Sequence, residues 1–274
     1  MKKQKRLSFL LLSGCLLGLP LHATLLVSSS FSDAVGMNVT PSGWGGSGDD
    51  AITAGSLTAP SGLAASTGNK FTLDGNDNND YTLSFAATGS STGATLYYSF
   101  LFKVDDLTGL TSDSNNRTVF SLGTGSKSAG TFSIALDEDN SSAYNVGLDG
   151  SNKGIATASR DSVEYSTADT LFVVVEYIPK GGHPGDARMW VNPDSASFGG
   201  AAPLTPTLTD AGGYLTDATA LYLDTQYSHP AIWSVDEVRV GTSYASVTPI
   251  PEPGTLVFVL LGSLTFVFSL FRRR

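Results

Sequence analysis

Cysteine is all but missing from this chain of 274 residues, where Cys15 is the only one. It sits in an N-terminal apolar run that reads as removable, so a chain cut after Ala23 has none. Such a chain holds no disulfide, no thiolate metal site and no catalytic thiol. An exported domain of that kind depends on its own apolar core, and residues 24–250 are long enough to build one. Histidine is nearly as scarce. Beyond the N-terminal run only His183 and His229 remain. Both precede proline, which predicts extended or turn backbone and a place in loops, and a zinc site from two histidines without cysteine is not expected.

Positive charge is also short, with 16 Lys and Arg against 25 Asp and Glu. Seven of the bases lie at the ends, as Lys2, Lys3, Lys5, Arg6 and Arg272 to Arg274, against one acid there, Glu252. Residues 24–250 therefore carry nine bases and 24 acids, a formal charge of −15. A body this acidic repels phosphate backbones, which excludes nucleic acid as a partner and favours solubility and cation binding. No long 3.6-residue apolar period runs through 24–250, and no repeat recurs at a fixed period. The first absence argues against a helical domain, the second against propellers and solenoids.

What is present is a basic stretch at 1–6, an apolar stretch at 7–21 and the small Ala23 after Leu21 and His22. That succession predicts a secretory signal peptide over 1–23, cleaved after Ala23. Leu12-Ser13-Gly14-Cys15 resembles a lipobox, with lipid on Cys15 as the alternative. In 24–248 short β-branched and aromatic runs alternate with Gly, Ser, Asn and Asp. Strands are predicted at 81–86, 95–104, 118–122, 131–136, 170–178, 187–191, 220–224 and 232–240, with loops at 43–48 and 199–206. Phe132, Ile134 and Leu136 share one side of their strand. The run from Leu171 to Val175 is apolar on both sides, as suits a central strand covered on both faces. Many short strands with Gly- and Asp-rich turns predict one all-β domain, a sandwich or jelly roll.

The end of the chain has its own grammar. Pro249 to Gly254 breaks regular structure, residues 254–271 are uncharged, and three arginines close the sequence. As a helix 254–271 spans about 27 Å, just short of a bilayer core of about 30 Å. The arginines would stay cytoplasmic by the positive-inside rule. Pro251-Glu252-Pro253, the apolar helix and Arg272-Arg273-Arg274 together resemble the PEP-CTERM sorting signal. The resemblance implies recognition by an exosortase, processing near the Pro-Glu-Pro motif, transient anchoring in the inner membrane, and delivery to the cell surface or an exopolysaccharide and biofilm matrix. Further segments, Phe172 to Tyr177, Ala187 to Pro193, Val235 to Tyr244 and Val247 to Pro249, with Phe31-Ser32-Asp33 and Gly43-Trp44, resemble the laminin-G-like, concanavalin-like jelly rolls found before such tags. That resemblance implies the fold and leaves the ligand open.

Candidate chemistry is sparse. A glycoside hydrolase of such a fold needs two carboxyl groups about 5–9.5 Å apart. Asp137-Glu138-Asp139 lies beside the turn-forming Asn140-Ser141-Ser142, and Asp236 and Glu237, being adjacent, are expected to face opposite ways. No Glu-x-Asp-x-Glu strand occurs. The expectation is therefore a non-catalytic surface or matrix protein without an enzyme site or cofactor. A carbohydrate-binding module is the alternative, and a secreted glycoside hydrolase the second alternative. Asp74-Gly75-Asn76-Asp77-Asn78-Asn79-Asp80 is either a plain turn or a calcium site built on Asp74, Asp77 and Asp80. Trp44, in a Gly-rich loop, is the candidate for stacking on a sugar ring, whereas Trp190 and Trp233 are expected in the core.

Overall fold

Alternation of apolar and polar residues builds most of the strands, and small residues decide where they bend. The computed structural model describes residues 24–46, 48–74, 80–86, 94–111, 117–125, 127–150, 159–180, 183–213, 215, 217–224 and 231–251. The signal segment with Cys15 and Ala23, the residues Asp77, His229, Glu252, Pro253 and Arg272 to Arg274, and the predicted membrane helix 254–271 lie outside them. Among the described residues no helix is long and apolar enough to cross a membrane.

In chain order the described strands are β1 (Leu25–Ser29), β2 (Gly36–Met37), β3 (Trp44–Gly45), β4 (Ala51–Thr53), β5 (Lys70–Asp74), β6 (Asp80–Ser84), β7 (Leu96–Asp106) and β8 (Arg117–Gly123). They continue as β9 (Lys127–Leu136), β10 (Tyr144–Asp149), β11 (Ser159–Arg160), β12 (Leu171–Lys180), β13 (His183–Val191), β14 (Leu208–Gly212), β15 (Ala220–Asp224) and β16 (Ile232–Gly241). The described helices are a 3-10 turn at Ser195–Ser197 and α1 (Tyr244–Val247). All eight predicted strands are found. The others are short, or, like β10, carry Asn145, Gly147 and Asp149 on one face and so read as turn material. His183 opens β13 opposite Lys180 rather than lying in a loop.

Two antiparallel sheets pack face to face. The nine-stranded sheet runs β14-β13-β12-β7-β16-β5-β4-β2, with β1 also paired to β16, and the seven-stranded sheet runs β11-β10-β9-β8-β15-β6-β3. Between them the period-2 pattern delivers one face of each strand to a single core. At its centre Phe100 meets Phe120 at 4.4 Å and Phe132 at 5.0 Å, and Phe102 meets Phe132 at 5.2 Å between ring centroids. Each such pair adds about 0.5–1.5 kcal/mol beyond its buried area.

The opposite face of the nine-stranded sheet is also apolar at its middle. Leu101, Phe172, Val174 and Trp190 point away from the main core and are covered by Leu57, Leu63, Phe198, Tyr244 and Val247. This satisfies the doubly apolar run of β12. The cover is pinned by Ser99 Oγ donating to the Val247 carbonyl at 2.7 Å and Trp190 Nε1 donating to Pro203 at 3.2 Å.

Two irregularities place side chains that alternation alone misplaces. In β9 the pairing with β8 shifts by one residue between Phe132 and Ala129, and Gly130 adopts φ +56 against Tyr177 and Val175. Glycine tolerates that backbone without the Cβ clash other residues meet, and Tyr98 fixes it by donating to the Gly130 carbonyl at 2.6 Å. In β16 the pairing with β7 shifts between Asp236 and Arg239, and Glu237 takes φ +50. Left-handed backbone costs about 1–2 kcal/mol at such a residue.

Candidate functional site

The shift in β16 revises the expectation for the adjacent acids. Asp236 and Glu237 do not face opposite ways, because both reach the segment 54–69. Asp236 accepts from Leu57 N at 2.9 Å and Glu237 N at 2.7 Å. Glu237 accepts from Thr67 N at 2.7 Å and pairs with Arg239 at 2.6 Å. Burial pushes the Asp236 carboxyl up to about 7, against the two backbone N–H groups that favour its charge. Both acids are occupied in holding a loop.

Other polar groups on this outer face are likewise engaged with one another. Tyr97 donates to Glu176, which also pairs with Arg188 at 3.1 Å. Burial, then the hydrogen bond and charge of Glu176, push the Tyr97 phenol up. Nearby, Lys103 binds Asp105 at 2.6 Å, Ser234 donates to the same carboxylate, and Thr72 bridges Ser234 at 3.0 Å and Thr53 at 2.7 Å. Against the cost of burial, these partners hold Asp105 below its ordinary range.

The outer face of the seven-stranded sheet differs. Because Phe132, Ile134, Leu148, Phe120, Leu221 and Leu223 go to the core, their neighbours Thr131, Ser133, Asp149, Ser121 and Tyr222 go outward. The register joins them. Tyr222 lies opposite Thr82 and Ser121, and Thr131 lies opposite Asp149. Phe120 opposite Phe132 sets Ser121 beside Thr131. A row of hydrogen-bonding side chains, Thr82, Tyr222, Ser121, Thr131 and Asp149, thus crosses β6, β15, β8, β9 and β10. At about 4.8 Å per strand spacing the row is about 19 Å long. Ser133, opposite Gly147, starts a second row, and Asn145, which donates to the Val163 carbonyl at 3.1 Å, lies further along.

These hydroxyls are buried without partners. Ser121 and Ser133 are 0% exposed and Thr131 1%. Among the described residues five buried side-chain polar groups make no hydrogen bond, and Ser121, Thr131 and Ser133 are three of them. The other two, Tyr144 and Trp233, belong to the core. A buried polar group without a partner costs about 1–3 kcal/mol, and at 0–1% exposure these three are covered by the protein itself. A hydroxyl both donates and accepts, and in the row Thr82 and Tyr222, both half-buried, are the ones that a ligand reaches. Tyr222 and Asp149 stand three strand spacings apart, about 14 Å, too far to flank one glycosidic bond as paired carboxylates do.

Sequence reasoning missed this row. Thr131-Phe132-Ser133-Ile134 shows the alternation, yet Ser and Thr on an outward face read as ordinary solvent positions, and burial is not written in them. Residues singled out in the sequence fare differently. Trp44 is a core residue, 7% exposed, stacked on Phe31 at 5.9 Å, with Nε1 donating to Ser29 at 3.1 Å, so it presents no ring to a sugar. Trp190 and Trp233 are buried as expected. Asp137 accepts from Asp139 N and Asn140 N and closes a turn. Asp74 ends β5 and Asp80 starts β6, while Asp77 between them lies outside the described residues. Among the described residues no three His, Cys, Asp or Glu are grouped to hold a metal ion. The sequence also spells Gly-x-Ser-x-Gly once, at Gly89 to Gly93, outside the described residues. The hydrolase elbow with that spelling leads from a strand into a helix, whereas the next described element here is the strand β7.

No family model matches the sequence, and no curated protein does. Solved structures give distant likenesses. The alginate lyase Aly36B is similar at 12% identity over 78% of this chain and 95% of its own, with a TM-score of 0.49. An endo-beta-1,4-glucuronan lyase from the fungus Trichoderma reesei is 13% identical over 82% and 98%, with a TM-score of 0.44. A carbohydrate esterase from the Shiga toxin-encoding bacteriophage phi24B is 13% identical over 80% and 99%, with a TM-score of 0.46. These structures, to which the chain is similar, are two lyases and an esterase, and this corrects the expectation of a non-catalytic protein without an enzyme site, which is withdrawn.

Proposed function

We propose that this chain is an exported, envelope-sorted β-sandwich that engages a polysaccharide across the outer face of its seven-stranded sheet. The observation that carries the reading is the polar row that register assembles on that face, whose half-buried members Thr82 and Tyr222 are reachable from outside while Ser121, Thr131 and Asp149 are buried. Sugar hydroxyls can pair with the Thr82 hydroxyl and the Tyr222 phenol. The basic and apolar N-terminus supports export. The resemblance of Pro251-Glu252-Pro253, 254–271 and the three arginines to a PEP-CTERM signal supports exosortase sorting through a transient membrane helix, to the surface or the matrix.

Incubating the full chain with a panel of polysaccharides reads retention and cleavage together. Association with or breakdown of at least one polymer is expected; neither, across the panel, sinks the reading. Deleting residues 251–274 is expected to release the protein or trap it inside. Unchanged envelope location after that deletion defeats the sorting part.

A further inference from the structure

We infer that the domain rests on a lipid bilayer through the roof of its nine-stranded sheet, the surface built by residues 54–69, 195–209 and 240–251. The inference rests on the reading of 254–271 as a membrane segment, and it follows from where the chain leaves the fold. The three segments form one surface. From it Leu57, Leu63, Phe198, Tyr244 and Val247 cover the outer apolar cluster. Ser197 and Tyr244 share a hydrogen bond at 3.0 Å, and a Cβ on Gly62 would stand 3.0 Å from the Ser195 side chain. The end of the domain is pinned into the same surface. Gly199 N donates to the Thr248 carbonyl at 2.8 Å, and Ala64 N donates to the Pro249 carbonyl at 2.7 Å. Val247 and Thr248 are fully buried, and Ile250 lies against Gly199.

The pinning thus reaches Pro249, only a few residues before Gly254. That stretch reaches at most about 18 Å, and Pro251 and Pro253 favour a stiff, extended course. Headgroups on one side of a bilayer take up about 5–8 Å of it. A fold fastened so closely cannot stand away from the membrane, and the surface around the exit is the one that meets it. The chemistry of that surface fits. No residue in 54–69, 195–209 or 240–251 is charged, in a chain of which 15% is charged. Lys70, Asp194, Asp210 and Arg239 stand just beyond the ends of these segments. Pressing a charge against lipid is costly, and the formal charge of −15 over 24–250 sets the rest of the body against anionic headgroups. Leu204, in the middle segment, is 102% exposed, and Ile250, at the exit, 51%. One exposed apolar side chain is ordinary, but these two stand on an uncharged surface where the chain turns toward the bilayer.

The test places the full chain, with Cys15→Ser, in vesicles of phosphatidylethanolamine and phosphatidylglycerol and carries a fluorophore on one introduced cysteine. Leu204→Cys and Ser61→Cys set the probe on the roof, at exposed positions in two different segments. Val163→Cys, 49% exposed and following β11 of the other sheet, is the reference. Brominated lipid is expected to quench both roof probes at least threefold more than the reference. Equal quenching at the three positions in protein that floats with the vesicles overturns the inference and leaves the membrane segment intact. Stronger quenching at Val163 than on the roof overturns it too, since the opposite sheet would then face the lipid. Failure of the chain to float with the vesicles removes the membrane reading and the inference with it.

Discussion

The outward faces of the two sheets are finished in different ways. On the nine-stranded sheet the polar groups close on one another, as in Tyr97–Glu176–Arg188 and Lys103–Asp105–Ser234–Thr72–Thr53, and a second apolar cluster is roofed by residues 54–69 and α1. On the seven-stranded sheet Ser121, Thr131 and Ser133 are equally buried yet bond to nothing. A buried donor or acceptor is normally paired, so the first face is complete by itself and the second is not. The comparison teaches that burial alone does not describe a face. Satisfaction of its buried polar groups separates the two.

The largest break in that contrast is expected on the finished face. Phe172→Ala removes a ring that packs edge-on against Phe198 at 5.6 Å, and should cost about 3–5 kcal/mol in a denaturant titration. A loss under about 1 kcal/mol would show that the roof is not a packed cluster. Next, Glu237→Ala strands Thr67 N and the guanidinium of Arg239. A loss of about 2–4 kcal/mol is expected, with faster hydrogen exchange at the Thr67 amide, and an unaltered exchange rate there contradicts the loop-holding role.

A smaller effect follows from Asp236. Its folded pKa, about 7, stands above the ordinary 3.8. The native state therefore binds a proton more tightly than the unfolded chain. The stability this contributes is fully present below about pH 4 and is lost as pH rises through about 7. Relative to Asp236→Asn, the natural chain should lose on the order of 1–4 kcal/mol between pH 4 and pH 8. Parallel stability curves for the two proteins refute this. The smallest effect belongs to the unfinished face. Ser133→Ala and Thr131→Val delete hydroxyls that have no partner, so each should leave stability unchanged or raise it by about 1 kcal/mol. A loss above about 1.5 kcal/mol would mean that those hydroxyls are satisfied after all, and the contrast between the faces would collapse.

Much of this was legible before any coordinates. Phe132, Ile134 and Leu136 announce β9 by alternation, and the run Leu171 to Val175 announces a strand covered twice. Trp44 misled because glycines flank it: Gly43 and Gly46 take positive φ, which turns the chain tightly and delivers the indole to the core. Asp236 and Glu237 misled because one left-handed residue changes which way a strand faces, and nothing in a two-residue spacing discloses it.

The sequence by itself determined the class of fold, because period-2 patterning and turn residues are local properties of the chain. The proposed address likewise rests on linear segments alone, the basic and apolar start and the Pro-Glu-Pro end. Which hydroxyls stand in one row was settled only in three dimensions. Thr82, Tyr222, Ser121, Thr131 and Asp149 come from five separate strands. Their alignment depends on register, on one extra residue at Gly130, and on a burial that no residue type encodes.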